Sequence, residues 1–241
     1  MIGFLTSSPM KRGTGEIDPS NGFLEELTRA LPKRRRMLFV CSDPESYEAT
    51  DRFASELLRA LESAGLGFGS MAVLDGRNEF LAPELVRKAD LIVLAGGHVP
   101  TQNAFFRRIG LRDLLRSRDG AVLGISAGTM NSAKEVYAQP ELPGEAVDPD
   151  FVRFLPGLGL TRVRVVPHYN EVKDSVLDGM RLMEDITYPD SAGKEFYALP
   201  DGSWLHLHDG VQELRGEAWR IADGSMEKFS GNGEIRVLRC P

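Results

Sequence analysis

Short apolar runs alternate with amphipathic stretches along most of the chain. Short apolar runs bounded by Gly, Pro or Asp are typical of buried parallel strands, and apolar positions spaced by three and four are typical of helices with one buried face. The pattern predicts strands within residues 2–6, 37–41, 67–74, 90–95 and 121–124, and helices within residues 23–31, 47–64 and 84–88 and after Pro100. This alternation predicts an α/β fold, a three-layer α/β/α flavodoxin-like sandwich with a mostly parallel sheet.

The pattern changes after Phe196. Short strands separated by Asp-Gly or Gly turns are predicted at residues 197–199, 204–207, 211–214, 218–221 and 235–238. Turns this short connect antiparallel strands. We therefore expect an antiparallel C-terminal extension at the edge of the same sheet, and residues 1–241 to form a single domain.

Composition narrows the class of protein. The chain has 241 residues, 42% hydrophobic residues and a net charge of -6, which fits an enzyme and argues against nucleic-acid binding. The basic run at residues 33–36 directly precedes a strand and is interpreted as its solvated start. Cys41 and Cys240 form no motif, and neither a signal peptide nor an apolar run of membrane-spanning length is evident. We expect a cytoplasmic monomer or homodimer without a cofactor or a membrane partner.

The candidate nucleophile is Ser126, in the sequence Gly124-Ile-Ser-Ala-Gly128. An apolar run precedes it and helix-compatible residues follow, which is the arrangement of a nucleophile elbow. In such a turn the serine has a strained backbone and lies at a helix N-terminus, where free N–H groups favour negative charge. The alternative is a glycine-rich helix start in which Ser126 is an ordinary cap.

A second glycine turn follows the strand at residues 90–95. Parallel strands bring such turns to one edge of the sheet, where open α/β sheets hold their sites. The backbone amides of Gly97 and Ala127 are therefore candidate oxyanion donors. The side chains that come next, His98, Gln102 and Asn103, are expected to line the substrate site, with helix capping as the alternative.

His168 is the best candidate for the general base. It follows the alternating run at residues 161–166 and lies beside Pro167, so it also falls at a strand end. His206 and His208 alternate on one strand face and could bind a metal, but no third ligand is evident. We interpret them as a solvated strand face and predict no metal site.

A carboxylate should orient the base, and the residues alone do not identify it. The candidates after the serine are Glu135, Glu141, Glu145, Asp148 and Asp150.

Taken together, these motifs resemble the dipeptidase E and cyanophycinase family of serine peptidases. The resemblance rests on Gly96-Gly97 before a helix, Gly-Ile-Ser-Ala-Gly, an acid fifteen positions after the serine, Pro167-His-Tyr169 and the late Leu199-Pro-Asp-Gly-Ser-Trp204. It implies a fold like that of class I glutamine amidotransferases, with serine in place of cysteine. It also implies a serine peptidase that hydrolyses short peptides, with Ser126 as nucleophile, His168 as base, Glu141 as acid, and Gly97 and Ala127 as oxyanion donors.

The chain departs from the family pattern in two places. His98 stands where the dipeptidases have Asn, and the segment after His168 lacks the arginine-containing insertion of dipeptidase E. An arginine is the natural partner of an aspartyl side chain. We therefore expect a dipeptide or isopeptide-like substrate with a free N-terminal amine, and little preference for Asp.

Two other classes remain as alternatives. A glutamine amidotransferase-like enzyme would use cysteine and usually a His-x-Glu pair, whereas Glu171 lies three residues after His168. A noncatalytic binding protein of the same fold would have an unreactive Ser126.

Overall fold

The computed structural model describes residues 1–238, and Cys240 lies outside them. The strands are β1 (Ile2–Thr6), β2 (Arg36–Val40), β3 (Ser70–Leu74), β4 (Leu91–Leu94), β5 (Ala121–Ile125), β6 (Glu135–Tyr137), β7 (Phe154–Pro156), β8 (Arg164–Val166), β9 (Val176–Leu177), β10 (Met180–Arg181), β11 (Glu195–Ala198), β12 (Trp204–His208), β13 (Val211–Arg215), β14 (Ala218–Ala222), β15 (Ser225–Ser230) and β16 (Ile235–Val237).

Helices connect the first strands and cover both faces of the sheet. They are α1 (Phe23–Ala30), α2 (Tyr47–Ser63), α3 (Ala82–Lys88), α4 (Val99–Arg108), α5 (Leu111–Arg116), α6 (Ala127–Asn131), α7 (Tyr169–Val172) and α8 (Tyr188–Asp190). A π-helical segment spans Leu182–Thr187, and short 3-10 turns span Ser20–Gly22 and Glu79–Leu81.

The central sheet has eight strands in the order β16-β13-β12-β1-β5-β4-β2-β3. Strands β1, β5, β4, β2 and β3 run parallel, and β12, β13 and β16 continue the sheet in antiparallel fashion from β1. Read from the far edge, the parallel strands are β3-β2-β4-β5-β1, which is the 2-1-3-4-5 order of flavodoxin when β2 is counted as the first strand. The fifth position is then occupied by β1, the first strand of this chain. The predicted mostly parallel sheet and its antiparallel extension are confirmed.

The core lies in two layers, one on each face of this sheet. Successive side chains of a strand point to opposite faces, so Phe39 and Leu123 pack with Leu57 of α2 on one side. Their neighbours Leu38 and Val122 pack against α3, α4 and α5 on the other side. The result is the predicted α/β/α sandwich.

The C-terminal region differs from a simple edge extension. Strands β15, β14, β11 and β8 form a second, four-stranded sheet, in which β8 and β11 are parallel. The predicted strands near residues 197–199 and 218–221 belong to this second sheet, and so does the strand that leads to His168. Alternation and turns define strands locally, but they do not say which strand each one pairs with.

No helix within residues 1–238 has the length and apolar character needed to cross a membrane.

Candidate active site

Ser126 lies in the turn between β5 and α6, with φ of 49° and ψ of -109°. The predicted positive φ is therefore present, in a residue whose Cβ makes that conformation costly. The backbone holds the turn from both sides, since the Ser126 N–H lies 3.1 Å from the carbonyl oxygens of both Thr6 and Ser7. Thr129 Oγ donates a 2.7 Å hydrogen bond to the same Thr6 carbonyl.

The glycines on either side of Ser126 are required by close packing. A Cβ on Gly128 would lie 2.2 Å from the carbonyl oxygen of Leu94 in β4. A Cβ on Gly124 would lie 2.9 Å from Thr129 Oγ. The helix can therefore start directly on the sheet, which brings Ser126 to the carboxyl edge of β5.

Two backbone amides beside Ser126 are free to bind a ligand. Within residues 1–238 neither the Gly97 N–H nor the Ala127 N–H donates a hydrogen bond. Gly97 has φ of 148°, and a Cβ there would lie 2.3 Å from Ser42 Oγ, so only glycine fits. Gly97 and Ser126 line one cavity, as an oxyanion site requires.

His168 lines the same cavity, two residues after the end of β8. Its Nδ1 lies 2.8 Å from Asp201 Oδ1. The buried Ser7 hydroxyl donates a 2.8 Å hydrogen bond to the same carboxylate oxygen and accepts one of 2.7 Å from the His168 backbone N–H. Since Nδ1 faces Asp201, the other ring nitrogen is left for a reacting group.

Burial and charge act in opposite directions on this pair. Burial lowers the pKa of His168, but the hydrogen bond and charge of Asp201, with Glu171 and Glu141, outweigh it, so the pKa is raised overall. Burial raises the pKa of Asp201, but the bonds from His168 and Ser7 outweigh it, so the pKa is lowered. The pair therefore stabilises the imidazolium that forms when His168 accepts a proton.

The expectation that Glu141 is the acid on His168 has to be corrected. Within residues 1–238 the Glu141 carboxylate makes no hydrogen bond with His168, whose carboxylate partner is Asp201. Glu141 does line the cavity, and it acts on the ring only through its charge. Counting forward from the serine places Glu141 near the site but does not reveal that another loop lies closer to the imidazole.

The position of Glu141 gives its carboxyl unusual acid–base properties. Glu141 is an exposed residue that lines the open cavity, and neighbouring protein groups surround its carboxyl. Burial, together with the like charge of Glu145, raises the pKa of Glu141 to about 7, against an opposing effect of His168. A bound cation would stabilise the ionised form of this carboxyl.

The loop that carries Glu141, residues 138–151, is held by carboxylates. Glu145 Oε2 accepts 2.9 Å hydrogen bonds from the backbone N–H groups of Glu141 and Leu142. Its other oxygen lies 2.8 Å from His98 Nε2. Asp178 accepts hydrogen bonds from Gly144 and Ala146.

The three predicted lining residues after the glycine turn do not line the cavity. His98 is engaged by Glu145 and by Thr101, so it supports the Glu141 loop. Gln102 is fully buried and bonds the Ala95 carbonyl and Asn131, while Asn103 is buried and bonds Asn131 and the Pro156 carbonyl. Helix α4 packs against α6, and this contact turns both amides inward to satisfy buried backbone groups.

The cavity has a volume of about 470 Å³, which suits a small ligand. Its described lining contains no lysine or arginine; it combines apolar residues with Glu141, Glu171 and His168. The apolar part consists of Met130, Val172, Val176, Leu177 and Leu182. A larger groove of about 730 Å³ between Phe154 and Arg164 contains none of the candidate catalytic residues.

Sequence reasoning missed Asp201 and Ser7. Asp201 belongs to the Leu199-Pro-Asp-Gly-Ser-Trp204 stretch, which supported the family resemblance without being given a role. An acid directly after a strand and a proline was the available signal. No comparable signal pointed to Ser7, whose role depends on the sheet order that sets β1 beside β5 and β12.

The interpretation of His206 and His208 as a solvated strand face is also corrected. His206 is only 5% exposed, stacks on Phe4 and packs against Trp204. A third metal-binding group, Glu213, lies beside both histidines on the neighbouring strand. Strand alternation alone does not show which face the adjoining helix covers.

Comparison with known proteins decides the family. The sequence model described as Peptidase family S51 matches residues 4–214. The chain belongs to this peptidase family. It is thus a serine peptidase of the dipeptidase E kind, which disfavours the noncatalytic alternative.

Solved structures of other peptidases have a fold similar to that of this S51 peptidase. A peptidase from an acI-B1 Actinobacterium matches with a TM-score of 0.66 and 18% identity, over 98% of this chain and 96% of that one. A "Putative Peptidase E Protein" from Listeria monocytogenes EGD-e matches with a TM-score of 0.61 and 18% identity, over 95% of this chain and 98% of that one. A search of curated proteins finds no match.

Proposed function

We propose that the chain hydrolyses dipeptides and other short peptides that have a free N-terminal amine, through a Ser126-His168-Asp201 triad. The observation that carries this proposal is the shared cavity of Ser126 and His168, with Asp201 on the far ring nitrogen of the histidine. The strained backbone of Ser126 supports its role as the nucleophile at an elbow.

The proposed reaction has two halves. Ser126 Oγ attacks the peptide carbonyl carbon while His168 Nε2 takes the hydroxyl proton, and the amides of Gly97 and Ala127 donate to the oxyanion. When the C–N bond breaks, His168 returns the proton to the leaving amine. Water, activated by the same imidazole, then releases the acid and restores Ser126.

Asp201 keeps the His168 proton on Nδ1, so that the Nε2 lone pair faces the substrate side. Ser7 is a positioning residue in this scheme, because its hydroxyl joins the Asp201 carboxylate to the backbone of His168. The carbonyl oxygen of Ser7 also accepts a hydrogen bond from the Ser126 N–H. Ser7 therefore contacts the proposed nucleophile, base and acid.

Charge in the cavity indicates the substrate class. Glu141 and Glu171 border the cavity, but Glu171 is paired with Arg12, which lies just outside the described lining. The charge of Glu141 is therefore the one that favours a substrate ammonium over a substrate carboxylate. The apolar lining favours an apolar first side chain. We propose that Glu141 accepts the N-terminal ammonium, in place of the triad role expected from the sequence.

The test is a panel of dipeptides assayed by release of free amine. Wild-type protein should cleave Leu-X and Ala-X, and cleave the N-acetylated forms at least about tenfold more slowly, because a lost ionic hydrogen bond costs about 1.5–3 kcal/mol. Ser126→Ala should be inactive yet folded, and its matched control Ser117→Ala, at an exposed helix end, should equal wild type.

Three results would contradict the proposal. They are full activity in Ser126→Ala, cleavage of acetylated peptides as fast as free ones, and a preference for Asp-X over Ala-X of about a hundredfold or more. Labelling of Ser126 by a fluorophosphonate, read by mass spectrometry, would test the nucleophile without relying on a chosen substrate.

A further inference from the structure

Two histidines and a glutamate lie close together on the antiparallel strands, away from the Ser126 cavity. His206 and Glu213 pair directly across β12 and β13, and His208 follows two residues later on the same face. One ligand atom from each lies within 4.8 Å of the others. His206 pairs with Phe4 in the middle of β1, so the cluster extends away from the edge where Ser126 follows β5.

Two nitrogens of this cluster have no hydrogen-bond partner within residues 1–238. They are His206 Nδ1 and His208 Nε2, and both are buried atoms. His206 is 5% exposed, so water does not readily satisfy it. An unpaired buried polar atom costs free energy, which a bound ligand would recover.

The spacing of the donors suits a transition-metal ion. His208 Nε2 lies 3.4 Å from Glu213 Oε1, and His206 Nδ1 lies 4.0 Å from Glu213 Oε2. Ligands about 2.1 Å from a tetrahedral zinc ion lie about 3.4 Å apart, so the separation of His208 from Oε1 already fits. His206 is 4.0 Å from the other carboxylate oxygen, so a small side-chain shift is needed to bring it to the same ion. Two imidazoles and a carboxylate are ligands that Zn²⁺ accepts.

The surroundings hold these ligands in place. The His206 ring stacks on Phe4 and packs against Trp204 at a tilt of 48°, each at a centroid distance of 5.1 Å. Arg215 donates to Glu213 Oε2 from Nε at 3.1 Å and from Nη2 at 2.8 Å, which orients the carboxylate and leaves Oε1 toward His208. Supporting hydrogen bonds of this kind are typical around metal ligands.

We propose that His206, His208 and Glu213 form a binding site for one divalent transition-metal ion, with Zn²⁺ as the best fit. The site would tie β12 to β13 and act on stability, since none of its members lines the Ser126 cavity. It revises the expectation from sequence that this strand carries no metal site.

The test measures Zn²⁺ binding to the full chain after treatment with a chelator, by competition with a chromogenic chelator. Wild type should bind one ion per chain. His208→Ala and Glu213→Gln should each weaken binding by at least about tenfold, and Glu217→Gln, at the next turn, should change it less than about twofold. Co²⁺ in place of Zn²⁺ should give the visible spectrum of a tetrahedral site in wild type. His208→Ala and Glu213→Gln should not give this spectrum.

One control separates this site from the catalytic cavity, where His168, Glu171 and Asp201 also lie close together. His168→Ala should bind Zn²⁺ as wild type does. The proposal is overturned if wild type binds no Zn²⁺, if His208→Ala keeps its affinity within tenfold, or if His168→Ala abolishes binding. His208 is partly exposed, so its replacement leaves the core intact and circular dichroism can verify the fold.

Discussion

The two sides of the Ser126 cavity are built by different means. On one side, the Ser126 turn is held by backbone hydrogen bonds to the end of β1 and by glycines packed against β4, and Ser7 joins this turn to His168 and Asp201. On the other side, the Glu141 loop is held by the side chains of Glu145 and Asp178. The groups that hold the Ser126 turn do not titrate, whereas the groups that hold the Glu141 loop are carboxylates.

This difference separates the two tasks of a hydrolase. Bond breaking requires groups fixed to within a fraction of an ångström, which a sheet edge provides. Substrate selection tolerates a loop that adjusts to its ligand. Changes at the first side should therefore lower kcat or stability, and changes at the second should act mainly on KM.

The largest effect is expected from the acid on His168. Asp201→Asn should lower kcat on the order of 10⁴-fold, because an amide favours the wrong imidazole tautomer. Glu141→Gln should mainly raise KM, by about tenfold, for dipeptides with a free amine. Steady-state kinetics on both variants decide the matter, and a greater loss of kcat in Glu141→Gln would restore Glu141 as the triad acid.

Glycine substitutions compare the rigidity of the two sides. Gly128→Ala should lower the free energy of unfolding by about 3 kcal/mol, because its Cβ would collide with the Leu94 carbonyl. Gly144→Ala, in the Glu141 loop, meets no atom within 4 Å and should cost only about 1 kcal/mol for its φ of 95°. Urea denaturation measures both, and equal costs would contradict the comparison.

Ser7→Ala tests the hydrogen bonds that join the end of β1 to His168 and Asp201. Loss of a hydrogen bond to a charged group should lower kcat by about ten- to a hundredfold while KM stays within about twofold. Ser8→Ala is the matched control, since that hydroxyl bonds only within its own turn. A merely structural role would instead lower the melting temperature and leave kcat unchanged.

Glu145→Gln loosens the Glu141 loop. Since the ionised Glu145 carboxylate receives two backbone N–H groups and His98, KM should rise by about fivefold with kcat nearly constant. Asp148→Asn is the control in the same loop, because the Asp148 carboxylate accepts a hydrogen bond only from the Asp150 N–H there. It should leave kcat and KM unchanged. A fall in kcat without a change in KM would show that the loop positions the triad.

The smallest expected effect is a shift of the pH profile. In wild type kcat/KM should fall as pH drops through the Glu141 pKa of about 7, and protonation of His168, whose pKa is raised, should add to the fall. Glu141→Gln removes one titration and one negative charge that raises the His168 pKa, so its acidic limb should lie at lower pH. An unchanged limb would mean that Glu141 has no contact with the reacting groups.

Prediction from sequence succeeded where local patterns determine structure. The turn at Ser126 could be predicted because two glycines, an apolar strand and a helix start specify it within a few residues. Asp201 could not be chosen, because its contact with His168 depends on how β8, β11 and the following loop are placed. Gln102 and Asn103 were misassigned because helix rotation about its axis is set by packing against α6, not by nearness to Gly97.

The position of β1 also has a consequence for how the chain folds. Thr6 bonds a partner 118 residues later, and Ser7 bonds Asp201, 194 residues later. The ribosome therefore makes the middle strand of the sheet first and its neighbours on both sides much later. Such distant pairings slow folding, and the first residues must stay unpaired while most of the chain is synthesised. The side chains of the proposed triad consequently meet only after residue 201 has emerged, so we expect a nascent or truncated chain to carry Ser126 without peptidase activity.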